Sequence, residues 1–193
     1  MSLDFAKAYA DVFQEELAEN QLLNGALNKL LQEAEGPVFV TGSALYGNII
    51  KRIHKHDIPI EDFDFVVTTR ADWDRTLPSD GWERGIIQYG EPEYHGEIRR
   101  FSNGNIQMDV GNLMRYNPPR IETLLAGAPM TVQSIAYDAR KGIIIGEIGQ
   151  RAIRERTVEV NGREDAEFYA RVKRMTIEQL VREKAKQLGF TPR

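Results

Sequence analysis

The sequence has no cysteine among its 193 residues, which excludes a disulfide framework, a thiolate metal site and a cysteine nucleophile. It has no apolar run approaching the ~20 residues that span a bilayer. Its opening, MSLDFAKAYADVF, is acidic and amphipathic, unlike a secretory leader. The expectation is a cytoplasmic protein with no membrane partner. A positive excess is also missing: 25 Lys and Arg face 29 Asp and Glu, for a net charge of −4. That balance argues against a generally basic nucleic-acid binder. The sign is unevenly spread, however. Residues 1–36 carry 2 basic and 7 acidic side chains, whereas residues 139–193 carry 13 basic and 8 acidic ones. The C-terminal third is a candidate polyanion-facing region set against the plainer reading of solvated helix faces. No Walker loop, dinucleotide fingerprint or Ser-His-Asp ordering is present.

What is there fits an ordinary globular chain, with 41% hydrophobic and 28% charged residues, long enough to bury a core without staples. Apolar residues recur at three- and four-residue spacing from Leu3 to Leu31, so residues 3–34 read as helix, with a break expected at Asn24-Gly25 and an end at Gly36-Pro37. VFVTG reads as a strand, residues 43–56 as a helix starting at Ser43, and FDFVVTT as the next strand. ADWDRTL reads as a short helix. ERGIIQYG, GEIRRFS and NIQMDVGNL read as consecutive strands, the last two joined by a hairpin turn at Asn103-Gly104. PPRIETLLAG has the prolines and terminal glycine of a short helix. KGIIIGEIG reads as strand and turn; QRAIRER and residues 164–188 read as helix. The expected fold is α+β: a small mixed, mostly antiparallel sheet flanked by helices. Residues 1–35 form an N-terminal helical segment, 36–160 the central domain, and 161–193 a C-terminal helix.

Asp62 and Asp64 lie two apart within an apolar strand, so they share one face. Two carboxylates there repel unless a cation sits between them, and Mg²⁺ favours one or two carboxylates plus substrate phosphates. Asp109, isolated in the apolar stretch IQMDVGNL, is the candidate third acid. The competing reading places Asp62 and Asp64 on a solvated strand edge; the flanking Phe63, Phe65, Val66 and Val67 count against it. Gly42-Ser43 stands where a strand gives way to a helix start, a place whose free N–H groups bind phosphate, with the Ser43 hydroxyl as a further donor. The plain alternative for Ser43 is an N-cap.

Gly-Ser at a helix start, D-x-D on the next strand and a later third carboxylate resemble the nucleotidyltransferase superfamily of DNA polymerase β type. The stretch MTVQSIAYDARKGIIIGEIGQRAIRERTVEV is similar to the head domain of bacterial tRNA nucleotidyltransferases and poly(A) polymerases. Thr131, Ala136, Tyr137 and Asp138 match that family's R-D-F-T-I-N-A-L-A-Y-D segment, with Val132 and Ile135 as conservative fits. Glu164-Asp165, Arg171 and QLGF ending at Phe190 resemble its E-D-x-x-R-x-x-R neck and later G-F. The resemblance covers roughly residues 36–190, so the C-terminal helix is neck-like; it does not extend to the family's helical body and tail.

The resemblance implies a metal-dependent transfer of an NMP from an NTP to an acceptor hydroxyl, on an RNA end or another acceptor. Asp62, Asp64 and Asp109 would be the catalytic and Mg²⁺ (or Mn²⁺) ligands, and Gly42 and Ser43 the phosphate cradle. This chain departs from the family where TGSALY stands for G-G-x-V-R-D. It departs again at Ala128, Pro129, Gln133 and Phe168, which fall on the family's Arg, Asp, Asn and first neck Arg. In the family those groups hold the triphosphate and select the base. Phosphate binding is therefore expected from other cations: Lys51 and Arg52 first, then Arg99 or Arg100. The alternative class is a catalytically inactive nucleotide-binding or regulatory protein. His54 and His56 do not share a helix face and read as a basic loop near the phosphates, not as metal ligands. His95 reads as a surface loop residue. Trp73, Trp82 and Tyr89 are candidate stacking residues, with core packing the better reading of Trp82.

Overall fold

The computed structural model describes residues 4–60, 62–68, 81–85, 98–113 and 119–193. The helix expected over ADWDRTL, together with Trp73, Tyr89 and His95, lies outside the described residues.

Helix α1 (Phe5–Glu19) begins at Asp4, whose carboxylate accepts from the Lys7 amide at 3.3 Å, and it buries Tyr9, Ala10, Phe13 and Leu17. The break expected at Asn24-Gly25 falls earlier, at Asn20. The Asn20 side chain accepts from the Leu23 amide at 3.0 Å and so caps α2 (Gln21–Glu33) while its own amide closes α1. A side-chain cap decides the boundary; Gly25 is tolerated inside α2 because it faces solvent, with nothing within 4 Å of a would-be Cβ.

Strand β1 (Val38–Thr41) runs straight into α3 (Gly42–His54), and β2 (Asp62–Val67) follows. Strand β3 (Glu83–Arg84), β4 (Ile98–Asn103) and β5 (Ile106–Asn112) come next. Then come α4 (Ile121–Gly127), a single 3₁₀ turn at Thr131–Gln133, β6 (Ala136–Asp138), β7 (Ile143–Ile145) and α5 (Glu147–Glu155). Strand β8 (Thr157–Val158), α6 (Arg163–Lys173), α7 (Ile177–Leu188) and β9 (Thr191–Pro192) complete the chain. The order in the main sheet is β3-β4-β5-β2-β1-β6-β7. Within it β2 and β5 run parallel and the other neighbours antiparallel, which is the mixed, mostly antiparallel α+β arrangement expected.

The helix expected over residues 164–188 is two helices. The chain turns at Arg174 (φ 55°) and restarts at a capping box. Thr176 Oγ1 accepts from the Gln179 amide at 3.2 Å, and Gln179 Oε1 accepts from the Thr176 amide at 2.7 Å. That reciprocal pair satisfies two otherwise orphaned donors and fixes the start of α7. The T-x-x-Q pattern that marks this start is present in the sequence, within a continuous apolar spacing that predicts one helix.

The sheet separates two cores. The larger one holds Phe13, Leu30, Ile49, Phe65, Phe101 and Met108 and continues through Leu188 and Phe190. Burying one such phenylalanine contributes about 2–3 kcal/mol. The smaller one holds Phe39, Val66, Leu113, Ile121, Leu125 and Ala136. Alternation along β2 sends Phe63, Phe65 and Val67 into the large core and Val66 into the small one. Asp62 and Asp64 therefore share the small-core face with Val66. Trp82 is buried against Phe63, ring centroids 6.5 Å apart, as core packing requires. Among the described residues no helix is long and apolar enough to cross a membrane.

Candidate active site

One row of residues crosses four strands. Thr41 on β1 is opposite Asp64 on β2; Asp64 is level with Asp109 on β5; Asp109 is opposite Arg100 on β4. Residues level with each other on neighbouring strands point to the same face, about 5 Å apart. The row thus sets Asp64 beside Asp109, and Asp62 lies on the same face one pleat away.

Gly42 makes the row accessible. The chain leaves β1 with φ +66° at Gly42, a conformation that costs a side-chain-bearing residue about 1–2 kcal/mol. A Cβ there would fall 1.8 Å from Asp64 Oδ2, so only glycine lets the Asp64 carboxylate reach under the start of α3. The next residue, Ser43, donates its hydroxyl to Asp62 Oδ1 at 2.7 Å. Asp62 is therefore held by α3, and the Ser43 hydroxyl is committed to it.

Asp109 is held from the other side. Arg100 Nε donates to Asp109 Oδ1 at 2.7 Å, and Arg100 Nη2 donates to Oδ2. This bidentate pair is the strong, planar form of a charge-assisted contact. Among the described residues Asp64 has no such partner. Burial first, then the charges of Asp62 and Asp109, push its carboxyl up to about 8, and Arg100 offsets this only in part. With every carboxyl ionised, these acids would carry more negative charge than Arg100 offsets, and the raised Asp64 carboxyl answers that by holding its proton at neutral pH. The same acids act on Tyr46, buried on α3: burial, then Asp64 and Asp62, push its hydroxyl above the ordinary tyrosine range.

The row opens into a cleft of about 230 Å³. Gly42, Asp64 and Asp109 line its floor, Leu124, Ala128, Pro129 and Gln133 one wall, and Asp165 and Tyr169 of α6 the rim. Sequence reasoning thus named much of one surface. Asp64, Asp109 and Gly42 meet there, and the departure positions Ala128, Pro129 and Gln133 form the facing wall. Asp62 and Ser43 are not among the lining residues and are bonded to each other.

Lys51 and Arg52 do not join them. They sit in the last turn of α3, roughly 13 Å of helix from Gly42-Ser43. Lys51 faces Asp57 at 3.8 Å, and Arg52 binds Glu16 at 3.5 Å and Glu19 more closely. The physical reason is direction: a helix whose N-terminus adjoins the acids carries its last turn away from them. His54 and His56 are likewise used in packing. His54 Nε2 pairs with the Ile153 carbonyl at 2.8 Å and its ring meets Phe190 edge-on at 5.7 Å, while His56 Nε2 pairs with the Gln187 carbonyl at 3.0 Å. The residue that sequence reasoning underused is Arg100, named only as a spare phosphate binder and in fact the clamp on Asp109.

No protein-family model and no curated protein matches the chain. Solved structures do. A tRNA-processing enzyme (apo form I) superposes with a TM-score of 0.59 at 14% identity, over 90% of this chain and 43% of that one. A CCA-adding enzyme in complex with CTP gives 0.56 at 19% identity, over 76% and 36%. The Bacillus stearothermophilus CCA-adding enzyme in complex with CTP gives 0.53 at 22% identity, over 94% and 40%. The chain spans less than half the length of each of these proteins. It shares the fold of these CCA-adding and tRNA-processing enzymes, the nucleotidyltransferase fold that its motifs resemble.

Proposed function

We propose that this chain is a metal-dependent nucleotidyltransferase that moves an NMP from an NTP to an acceptor hydroxyl, on an RNA end or another acceptor, and releases pyrophosphate. The observation that carries the reading is the row Asp64–Asp109, level on adjacent strands, with Asp62 one pleat away and the N-terminus of α3 directly above. The fold neighbours, solved with CTP, agree with it.

The donor set suits a hard divalent cation: clustered carboxyl oxygens beside a cleft with room for phosphates. Among the described residues no group of three His, Cys, Asp or Glu side chains is set to hold a metal ion, and Arg100 pairs with both oxygens of Asp109. Asp62 and Asp64 would hold Mg²⁺ or Mn²⁺, with Asp109 as a further ligand once Arg100 turns aside. Bound there, the ion would neutralise the phosphates and the departing pyrophosphate. The free amides at Gly42 and Ser43, at the positive end of α3, would hold the β- and γ-phosphates. Asp109 would orient the acceptor hydroxyl and take its proton as that oxygen attacks the α-phosphorus in line.

A second reading, a catalytically silent nucleotide-binding protein on the same fold, is favoured by the Arg100–Asp109 clamp. One experiment separates them. The protein is incubated with Mg²⁺ or Mn²⁺, each labelled NTP and total RNA, and pyrophosphate is followed. Release that disappears in Asp64→Asn supports the transferase. NTP binding without release supports the silent protein.

A further inference from the structure

Helix α7 packs in the large core and meets α3 through Lys184 and Tyr46. Its residues Leu180, Val181, Ala185 and Leu188 are buried, and beside them Lys184 turns inward while its neighbours Glu183 and Lys186 stay exposed. The Lys184 ammonium donates to the Tyr46 hydroxyl at 3.3 Å and to Gln187 Oε1 at 2.9 Å, and lies 5.7 Å from the Tyr46 ring centroid. Tyr46 is 3% exposed. It follows Ser43 by three residues, so the two share a face of α3, and Ser43 holds Asp62 at 2.7 Å. A continuous path of side chains therefore runs from Asp62 through the first turn of α3 to a lysine 138 positions beyond Tyr46.

Drawing an ammonium inward is costly without a compensating charge. Tyr46 supplies an oxygen and a ring face but no charge. Asp62 supplies it. Burial and the nearby Lys173 lower the proton affinity of Lys184, and Asp62 acts in the opposite direction.

We propose that Lys184 is a positioning residue of the candidate active site: a fixed countercharge, carried by α7 and seated on Tyr46, that keeps the Asp62 carboxylate on Ser43 when no divalent cation is bound. The C-terminal helix is then part of the site and not only a support for it.

The first test does not depend on metal. Wild type, Lys184→Met, Asp62→Asn and the double variant are melted in EDTA at pH 7. Methionine keeps most of the stem, and asparagine still accepts from Ser43. Lys184→Met should lower Tm by about 3 °C in the wild-type background and by less than about 1 °C in the Asp62→Asn background, a coupling of the size expected for neighbouring charges. Lys184→Arg should restore most of the loss. Additive effects would overturn the proposal, because a purely structural lysine has no reason to sense the charge at position 62. If Lys184→Met does not fold, Tyr46→Phe, which removes the hydroxyl seat and keeps the ring, replaces it in the cycle under the same criterion.

The second test rests on the function proposed above. Mn²⁺ is titrated by electron paramagnetic resonance. Lys184→Met should bind it about threefold more tightly, since a competing positive charge is gone; equal or weaker binding in the folded variant would count against the countercharge role. Failure of every protein, wild type included, to bind Mn²⁺ would overturn the metal reading, and the melting cycle would still decide the role of Lys184.

Discussion

Asp64→Asn separates the charge of the acid row from its shape. Asparagine is nearly isosteric, fits under Gly42, and can turn its amide N–H groups toward Asp62 and Asp109. What it removes is a carboxyl group whose proton affinity rises on folding from 3.8 to about 8. The sign follows from linkage. A carboxylic acid with a raised native pKa costs nothing below its unfolded value. The cost appears as pH rises above 3.8 and is complete above about 8. A shift of that size, at about 1.4 kcal/mol per unit, sets an upper bound of roughly 6 kcal/mol above pH 8 and roughly 4 kcal/mol at pH 7. Asp64 is partly open to the cleft, so water screens it, and a cost on the order of 2 kcal/mol is the working figure. For a chain of this length that is a Tm difference of about 4–8 °C.

The assay is thermal unfolding of wild type and Asp64→Asn in EDTA between pH 4 and 8, with pyrophosphate release measured in parallel. The variant should match wild type near pH 4 and gain stability steadily toward pH 8, while divalent-dependent stabilisation and transfer disappear. A stability difference that does not change with pH would refute the electrostatic argument. A variant that melts lower than wild type at pH 8 would show that the Asp64 carboxylate is a structural acceptor. Full retained transfer would remove Asp64 from the metal site.

Gly42→Ala should lower stability by about 2 kcal/mol or more, from the left-handed backbone and a Cβ driven into Asp64, and should weaken NTP binding in a fluorescence titration; a wild-type melting curve would contradict the close approach. Arg100→Met should destabilise the metal-free protein by about 2–3 kcal/mol because it strands the half-buried Asp109, yet enlarge the stabilisation by Mn²⁺, with calorimetry in EDTA and in Mn²⁺ as the check. Lys51→Met and Arg52→Met should leave NTP affinity within about twofold of wild type, their charges being spent on Asp57, Glu16 and Glu19 at the far end of α3; a larger loss would return them to the nucleotide site.

Much of this fold was readable because the signals are local. The apolar spacing of α1 and α2, the alternation in β2 and β5, and the strand-to-helix change at Gly42 each concern a few neighbouring residues. Boundaries failed where two local signals competed. Asn20 as a cap won over Asn24-Gly25 as a breaker, and the Thr176–Gln179 box won over a continuous helical stripe. Strand β6 gives no strand signal: three residues are too few for a period to declare itself, and Ala136, Tyr137 and Asp138 are buried on both faces, which leaves no alternation to see.

The candidate site was legible in its residue types and not in its register. The Asn103-Gly104 dipeptide predicts the turn between β4 and β5; the pairing of Asn103 with Ile106 puts it one residue later, at Gly104-Asn105, with Gly104 at φ +59°. The earlier turn would have set Arg100 opposite Gln107 and left Asp109 without its clamp. A one-residue shift in a hairpin thus decides whether the third acid meets a metal site free or already paired with a guanidinium. Asp62 and Asp64, alike in the motif, differ for the same kind of reason. Asp62 is held by the Ser43 hydroxyl and lies in the field of Lys184, whereas Asp64 lies under a glycine with acids on two sides. If a cation enters this cleft, the Asp64 carboxyl, pushed up to about 8 by burial and its acidic neighbours, must give up its proton to receive it. That is why Asp64 is a position at which metal binding, protonation and stability should move together.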